Sequence, residues 1–404
     1  MIHNRFVQII ARAINKIVPK NNSKAVFIPH ANGKTDRYDI INYKSDNVLC
    51  LINYLISNQK YNFLQKILFI YNSSKLNEYV EYAHNINPNC NILFLPYSYL
   101  SVYKELLTCK YCFTDQAYYN FTFKSKSQIF CSLGYFSPFK EDYLWSASRV
   151  SFVTEEEFKH SFRIHNRSFD YYFTSSDLAS RILSIDTGIS YCKFHPLGMP
   201  RNDIFINPNK NVREWLRDNI GISFSKLIVY TPTFRDYDEA EDLNPFGYHE
   251  SIEELENVLR KYNAIIIVKL HPKKKHIINC DDSRIISYGN LNSSYTLYEY
   301  LSVSDVLITD YTSTYFDYLY LDKPVIFNHY DFDLYKAKRG FSLNPISALM
   351  AGEVSINYQD FCQAIEKSLT SDSSKEKRKF VHDLMNSADP SCSCGKISDF
   401  IFSK

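Results

Sequence analysis

Residues 305–327 read DVLITDYTSTYFDYLYLDKPVIF, and the fold turns on how they are interpreted. The apolar run Val306-Leu307-Ile308 stops at Asp310, and three hydroxyl residues, Thr312, Ser313 and Thr314, follow at once. An apolar helical pattern comes next, then Lys-Pro and a second apolar run. An apolar run too short for a helix, bounded by polar turn residues, reads as a buried strand. Strand, helix and strand in succession are the unit of a parallel sheet covered on both faces.

The same alternation extends in both directions. Downstream of residue 210, SKLIVYTPTF, NAIIIVKLHP, SRIISYG, DVLITDY and KPVIFNHY are strand candidates separated by helical stretches such as 251–261. Upstream, KAVFIPH, KILFIYN, NILFLPY, YCFTD, SQIFCSLGY and FDYYFTSS form an earlier set, with helical patterns from Asn47, over 75–86 and over 155–164. Pro and Gly crowd the join FHPLGMPRNDIFINPN at 194–209, which reads as a hinge. The expected fold is α/β: two successive doubly wound Rossmann-like domains.

Composition removes several classes of function. With 46 basic and 44 acidic residues the formal charge is +2, unlike the basic excess of a nucleic-acid binder. No two of the ten glycines are separated by a single residue, so GxGxxG is absent, and GxxxxGK[ST] is absent too. Both motifs need glycine so that backbone closes on phosphate. DFD at 331–333 matches the DxD of metal-dependent sugar transferases only in three letters, which leaves metal dependence open. Cys109 and Cys112 form a CxxC and Cys392 and Cys394 a CxC, too far apart in sequence for a compact zinc module. Ten cysteines without a secretion signal suit the reducing cytoplasm.

The first twenty residues, MIHNRFVQIIARAINKIVPK, carry Phe6, Ile9, Ile10, Ala13, Ile14 and Ile17 at helical spacing, with Arg5, Arg12, Lys16 and Lys20 mainly off that stripe. A basic amphipathic helix can lie on an anionic membrane surface. It can equally pack on its own domain, and the sequence leaves both open.

In place of glycine-rich loops there are polar strand tips. YTPTFR ends one strand with Thr231, Thr233 and Arg235; VKLHPKKK brings Lys269 and His271-Pro272; ITDYTSTYFD brings Asp310 and the three hydroxyls. In open α/β sheets ligands sit outside the carboxyl ends of the strands. Thr312, Ser313 and Thr314 open a helix, where hydroxyls cap free N–H groups or add donors around a phosphate. YDFDLYKAKRGF adds Asp333 and Arg339, whose guanidinium fork suits a diphosphate.

At this point the residues resemble the CDP-glycerol glycerophosphotransferases, which build teichoic acids and related capsule or lipopolysaccharide polymers. LGMPRND (197–203) resembles the family's Gly-x-Pro-Arg-x-Asp and IVYTPTFRD its Pro-Thr-Phe-Arg strand end. IIVKLHP, SDVLITDYTSTYFDYLYLDKPVIF, YDFDLYKAKRGF and the tail CGKISDFI are similar to its later motifs, in the same order. The N-terminal half matches more loosely, with KSDNVLCLINYLI similar to an Asn-containing first helix. At GYFSPFK (134–140), Pro138 and Lys140 align, but Tyr135 stands where the family carries a basic His. A phenol of pKa about 10 is a poor base near neutrality. His30, at the end of the first strand, is the substitute candidate, with Asp36 and Asp115 behind it. His195 reads as structural.

The resemblance implies a GT-B fold whose two domains face across a cleft. It comprises an N-terminal helix at 1–20, an acceptor domain at 21–195, a CDP-alditol domain at 196–375 and a helical tail at 376–404 packing back on the acceptor domain. It implies transfer of an alditol phosphate, glycerol phosphate foremost, from CDP-alditol to a hydroxyl of a saccharide or lipid-linked acceptor, with release of CMP. No cofactor is implied beyond the donor. His30, His271 and Arg339 are the expected catalytic residues. Arg201, Thr233, Arg235, Lys269, Asp310, Thr312, Ser313, Thr314, Asp333, Tyr135 and Lys140 are the expected substrate contacts. The expected setting is the cytoplasm, on the inner face of the membrane. A GT-B glycosyltransferase using a nucleotide sugar, separated by donor screening, and a silent membrane-docked assembly protein, excluded by loss of activity in folded His271→Ala or Arg339→Ala, are the alternatives.

Overall fold

The computed structural model describes residues 5–29, 46–115, 121–134, 154–233, 235, 243–270, 284–291, 293–388 and 391–403. His30, Asp36, Tyr135, Lys140 and His271 lie outside them. The chain divides into two compact units. The first holds residues 1–136, 150–203 and 388–404; the second holds 137–149 and 204–387. The segment expected as one tail at 376–404 is therefore two helices, Lys375–Met385 in the second unit and Ser393–Phe402 in the first.

The first unit is built on seven strands: β1 (Asn21–Ile28), β2 (Gln65–Ile70), β3 (Ile92–Pro96), β4 (Cys109–Thr114), β5 (Ile129–Ser132), β6 (Tyr171–Phe173) and β7 (Phe194–His195). All pairings are parallel, in the order β3-β2-β1-β4-β5-β6-β7. Strand alternation splits the core into two layers. Ala25, Phe27, Leu68, Ile70, Tyr111 and Phe113 face the helices Asn47–Ser57 and Ser393–Phe402. Val26, Ile28, Ile67, Phe69 and Cys112 face the other way, with Leu106, Leu183 and Ala11. Near-continuous apolar strands are what a sheet buried on both faces requires. Cys109 and Cys112 sit inside this core, where burial pushes the Cys109 thiol up to about 12.

The second unit is a six-stranded sheet: β8 (Lys226–Tyr230), β9 (Ala264–Val268), β10 (Ile285–Ser287), β11 (Val306–Thr309), β12 (Val325–Asn328) and β13 (Glu353–Ser355). Its order is β10-β9-β8-β11-β12-β13, again all parallel. The chain winds outward from β8 to β10 on one side, then returns to the centre and winds outward from β11 to β13 on the other. The strand order thus reverses between β8 and β11. In the first unit the same reversal falls between β1 and β4. Such switch points leave a crevice outside the strand ends, where ligands bind.

The N-terminal helix, Arg5–Ile17, packs by its polar side. Gln8, Ala11 and Asn15 are buried; Gln8 Nε2 donates to the Tyr103 hydroxyl (3.0 Å), and Asn15 Nδ2 donates to Phe123 O (2.9 Å) and Gln128 Oε1 (2.8 Å). Ile9, Ile10, Ile14 and Ile17 are exposed, Ile17 at 83%. Arg12 and Lys16 are also exposed. At 100° per residue the isoleucines fill one arc and the two cations its border. No helix among the described residues is long and apolar enough to cross a membrane.

Candidate functional site

At the switch point of the second unit, three strand tips are joined by one buried cation. Beyond β8, the Thr233 backbone N–H (2.9 and 3.0 Å) and hydroxyl (2.7 Å) donate to the Asp310 carboxylate at the tip of β11. Arg235 Nη1 donates to Asp310 Oδ2 (2.7 Å) and to Thr233 O (2.7 Å). Its Nε and Nη2 form a fork on Asp331, just past β12, at 2.7 and 2.8 Å. The guanidinium, 1% exposed, lies over the rings of Tyr311 (5.3 Å), Tyr330 (5.4 Å) and Tyr335 (5.0 Å). Burial drives the Asp310 carboxyl upward, but the Arg235 charge and the Thr233 donors outweigh it and hold the group below the usual carboxylate range.

This geometry redistributes the expected roles. Arg235 and Asp310 are committed to one another and to the Thr233 loop; they fix the wall of the crevice. Asp331, which the sequence reading took only as part of DFD, has both oxygens on Arg235. Thr312 and Ser313, just past the tip of β11, are half-buried. Ser313 occupies the position before the helix Thr314–Tyr318 yet makes no capping bond with its side chain. Thr312 Oγ1 and Thr314 Oγ1 lie 3.3 Å apart. One strand over, Lys269 follows β9, its backbone N–H on Tyr230 O (2.9 Å) and its ammonium over the Tyr288 ring (5.4 Å).

Asp333 is exposed in the first turn of the helix Phe332–Lys338, and Arg339 ends that helix, half-buried, with its charge beside the Tyr335 hydroxyl. An aromatic stack lies beneath. Tyr311 stacks on Tyr335 (4.0 Å) and on His329 (4.9 Å), and His329 stacks on Phe332 (5.2 Å). The sequence reading missed His329 and this stack, because a strand-end aromatic looks like any other core residue. No local sequence signal marked it, since Arg235 is separated from Tyr311, Tyr330 and Tyr335 by several strands and helices.

Arg201 lies elsewhere, in the first unit, and is 3% exposed. Its backbone N–H donates to Asn47 Oδ1 (3.1 Å), and Asn47 Nδ2 donates to Leu133 O (2.8 Å). Asn47 thereby ties the turn at 200–202 to the tip of β5. Next to it, the Val48 N–H is shared between Asp46 Oδ1 (3.0 Å) and Asp115 Oδ2 (3.1 Å). Burial, and then the Asp46 carboxylate, push the Asp115 carboxyl well up, while the Arg201 charge works against them. Asp115 closes β4 at the first unit's switch point, so two carboxyls and a cation share that crevice floor. His195 is half-buried among Phe400 (4.6 Å) and Tyr171 (5.1 Å), a packing position. No group of three or more metal-ligating side chains occurs among the described residues.

The comparisons agree with this architecture. A family model described as CDP-Glycerol:Poly(glycerophosphate) glycerophosphotransferase matches residues 23–403. The chain is 34% identical to a teichoic acid glycerol-phosphate primase of Bacillus subtilis (strain 168) over 182 residues, 45% of each protein. It is 25% identical to a teichoic acid ribitol-phosphate primase of Bacillus spizizenii over 77% of this chain and 79% of that one. For several relatives the match spans less than half their length, 45% for the glycerol-phosphate primase. The solved wall teichoic acid polymerase TagF superposes with a TM-score of 0.72 at 21% identity, covering 98% of this chain and 93% of that one. Two parallel sheets with alternating helices, in the fold of TagF, make the α/β GT-B assignment. With the motif order and the family match over nearly the whole chain, the protein belongs to the CDP-glycerol:poly(glycerophosphate) glycerophosphotransferase family.

Proposed function

We propose that the protein transfers an alditol phosphate from a CDP-alditol, CDP-glycerol foremost, to a hydroxyl of a membrane-associated saccharide or lipid-linked acceptor. The observation that carries the reading is the Arg235 clamp. It holds the tips of β8, β11 and β12 as one wall, with the half-buried Thr312 and Ser313 just past the tip of β11. A wall fixed in this way is preorganised for a diphosphate, and phosphoryl transfer depends chiefly on positioning and charge stabilisation.

In this reading the acceptor oxygen attacks the phosphorus that bears the alditol. The new P–O bond forms as the bond to the bridging oxygen breaks, and CMP leaves with the electron pair. Thr312, Ser313, Thr314, Arg339 and Lys269 receive the diphosphate. His271 donates to the departing phosphate, and His30 takes the acceptor proton in place of the imidazole that Tyr135 does not provide. Asp333 receives hydroxyls, Lys140 serves the acceptor, and Arg201 supports the first unit's crevice. The exposed isoleucine arc of the helix Arg5–Ile17, bordered by Arg12 and Lys16, rests on an anionic lipid surface at the cytoplasmic face.

The test is incubation of the purified full chain with CDP-glycerol and with CDP-ribitol, reading CMP release and product mass. CMP release with a product heavier by one alditol phosphate unit supports the reading. Release of UDP or GDP from sugar nucleotides, with CDP-alditols inert, overturns it. Thr312→Val/Ser313→Ala is expected to weaken CDP-alditol affinity at least about tenfold, as loss of two hydrogen bonds to a charged group implies.

A further inference from the structure

A cavity of about 850 Å³ opens in the second unit beside the tips of β12 and β13. None of the residues expected to hold the diphosphate lines it: Thr312, Ser313, Thr314, Lys269 and Arg339 are all absent from its wall. His329, Asp333, Lys336, Phe341, Asn344 and Lys377 do line it. The wall is continuous with the site, because Asp331 and Phe332 belong to both. One strand spacing, about 5 Å, separates the β12 tip from that of β11, where the hydroxyls stand.

The lining specifies chemistry. His329 is held between the faces of Tyr311 and Phe332, 6% exposed, and its Nε2 is buried with no hydrogen-bond partner. Burial lowers its pKa to about 4, so at neutral pH the ring is uncharged and suits a hydroxyl rather than an anion. Asp333 accepts from hydroxyls and the Asn344 amide both donates and accepts. Lys336 and Lys377 are exposed and bring two positive charges to the same cavity; Lys377 Nζ also donates to Ser347 O at 3.0 Å. Phe341 adds a face for C–H groups. The volume is in the range of ligand sites that take molecules well beyond a single three-carbon unit.

We propose that this cavity is a subsite for a phosphorylated polyol chain, with phosphate on Lys336 and Lys377 and hydroxyls on His329, Asp333 and Asn344. It rests on the transferase reading for its place in the reaction, the occupant being either the acceptor's growing end or the donor's alditol phosphate.

The experiment titrates the full chain with sn-glycerol 3-phosphate, inorganic phosphate and glycerol separately, by calorimetry, and repeats it for Lys336→Ala/Lys377→Ala and His329→Leu. Expected are tighter binding of glycerol 3-phosphate than of phosphate or glycerol, a tenfold or greater loss in the double variant, and at least a threefold loss in His329→Leu. CMP affinity should stay within twofold. Equal binding of phosphate and glycerol 3-phosphate, or no change in either variant, overturns the assignment. If His329→Leu fails to fold, the double variant, at exposed positions, decides.

Steady-state rates then separate the sources. A rise in KM for a glycerol-phosphate oligomer in the double variant places the acceptor there, and a rise in KM for CDP-glycerol places the donor's alditol. A rise in neither overturns the proposal. Glycerol 3-phosphate binding that persists while CMP is neither bound nor released would sink the transferase reading and leave the cavity assignment standing.

Discussion

Replacing Arg235 by Met should unfold the second unit's site before it impairs any contact with substrate. The guanidinium is 1% exposed, compensates Asp310 at 0% and Asp331 at 8%, and satisfies Thr233 O. Methionine restores the volume but none of the charge. Breaking a buried ion pair from one side costs about 3–5 kcal/mol, because the partner charge is left behind. Here two carboxylates are left, so the loss should sit at or above the top of that range. Set against the 5–15 kcal/mol typical of a domain, this is a large share.

The pH dependence gives the argument its sign. In the parent, Asp310 lies below its ordinary range, so its contribution is complete above the unfolded carboxyl pKa of about 4 and is lost only as pH falls through the lower folded value. In Arg235→Met the Arg charge is gone and burial is opposed only by the remaining donors such as Thr233, so the Asp310 carboxyl rises from its position in the parent and protonation costs the folded state less. The gap between parent and variant should therefore narrow as pH falls from about 7 to about 5. Urea unfolding at both pH values measures it. An Arg235→Met protein within about 1 kcal/mol of the parent at pH 7, with CDP-alditol affinity abolished, would refute the clamp and restore Arg235 as a phosphate ligand.

Three further outcomes follow from the same coordinates. Asp115→Asn keeps an acceptor for the Val48 N–H but removes a carboxyl whose folded pKa is raised, a group that costs stability as pH rises above its unfolded pKa of about 4; the variant should match or exceed the parent in Tm, increasingly so from pH 5 to pH 8. Gly352→Ala should cost at least about 2–3 kcal/mol in urea unfolding, on the scale of overpacking, because its Cβ would stand 2.2 Å from Val325 O on β12. Ile10→Asp/Ile14→Asp removes exposed apolar surface without touching the core, so Tm should hold while binding to anionic vesicles in co-sedimentation falls at least about tenfold.

Much of the fold was legible because buried parallel strands leave a plain trace. LIVY, AIIIV, VLIT and VIFN have no polar alternation to confuse them with amphipathic helices, and each became a strand. What escaped were β7 and β13, of two and three residues, too short to carry a period. For the N-terminal helix, hydrophobic periodicity located the apolar stripe but said nothing about which face would be buried. Burial fell on Gln8, Ala11 and Asn15, with the Gln8 side chain on Tyr103 and the Asn15 side chain on Phe123 and Gln128. Those partners are some 95–113 residues away, beyond any local pattern.

The site was legible in composition but not in role, and the reason is electrostatic. A sequence shows that Thr233, Arg235 and Asp310 occur at strand ends; it does not show their protons and charges being spent on one another. Once the tips are adjacent, an Arg among two carboxylates at 2.7–2.8 Å has little left for an incoming anion, and a carboxylate with four donors on it has nothing to offer a hydroxyl. In the proposed site the groups that meet the ligand are those the clamp does not use, the Thr312 and Ser313 hydroxyls on one side and the uncharged His329 ring on the other. There the crevice takes its rigidity from charges bonded to one another. Conservative replacement should therefore hurt most inside the clamp: Arg235→Lys keeps the charge but cannot reproduce a fork on Asp331 together with bonds to Asp310 and Thr233 O. If Arg235→Lys proved as stable as the parent in urea, charge alone would suffice and the fork geometry would contribute nothing.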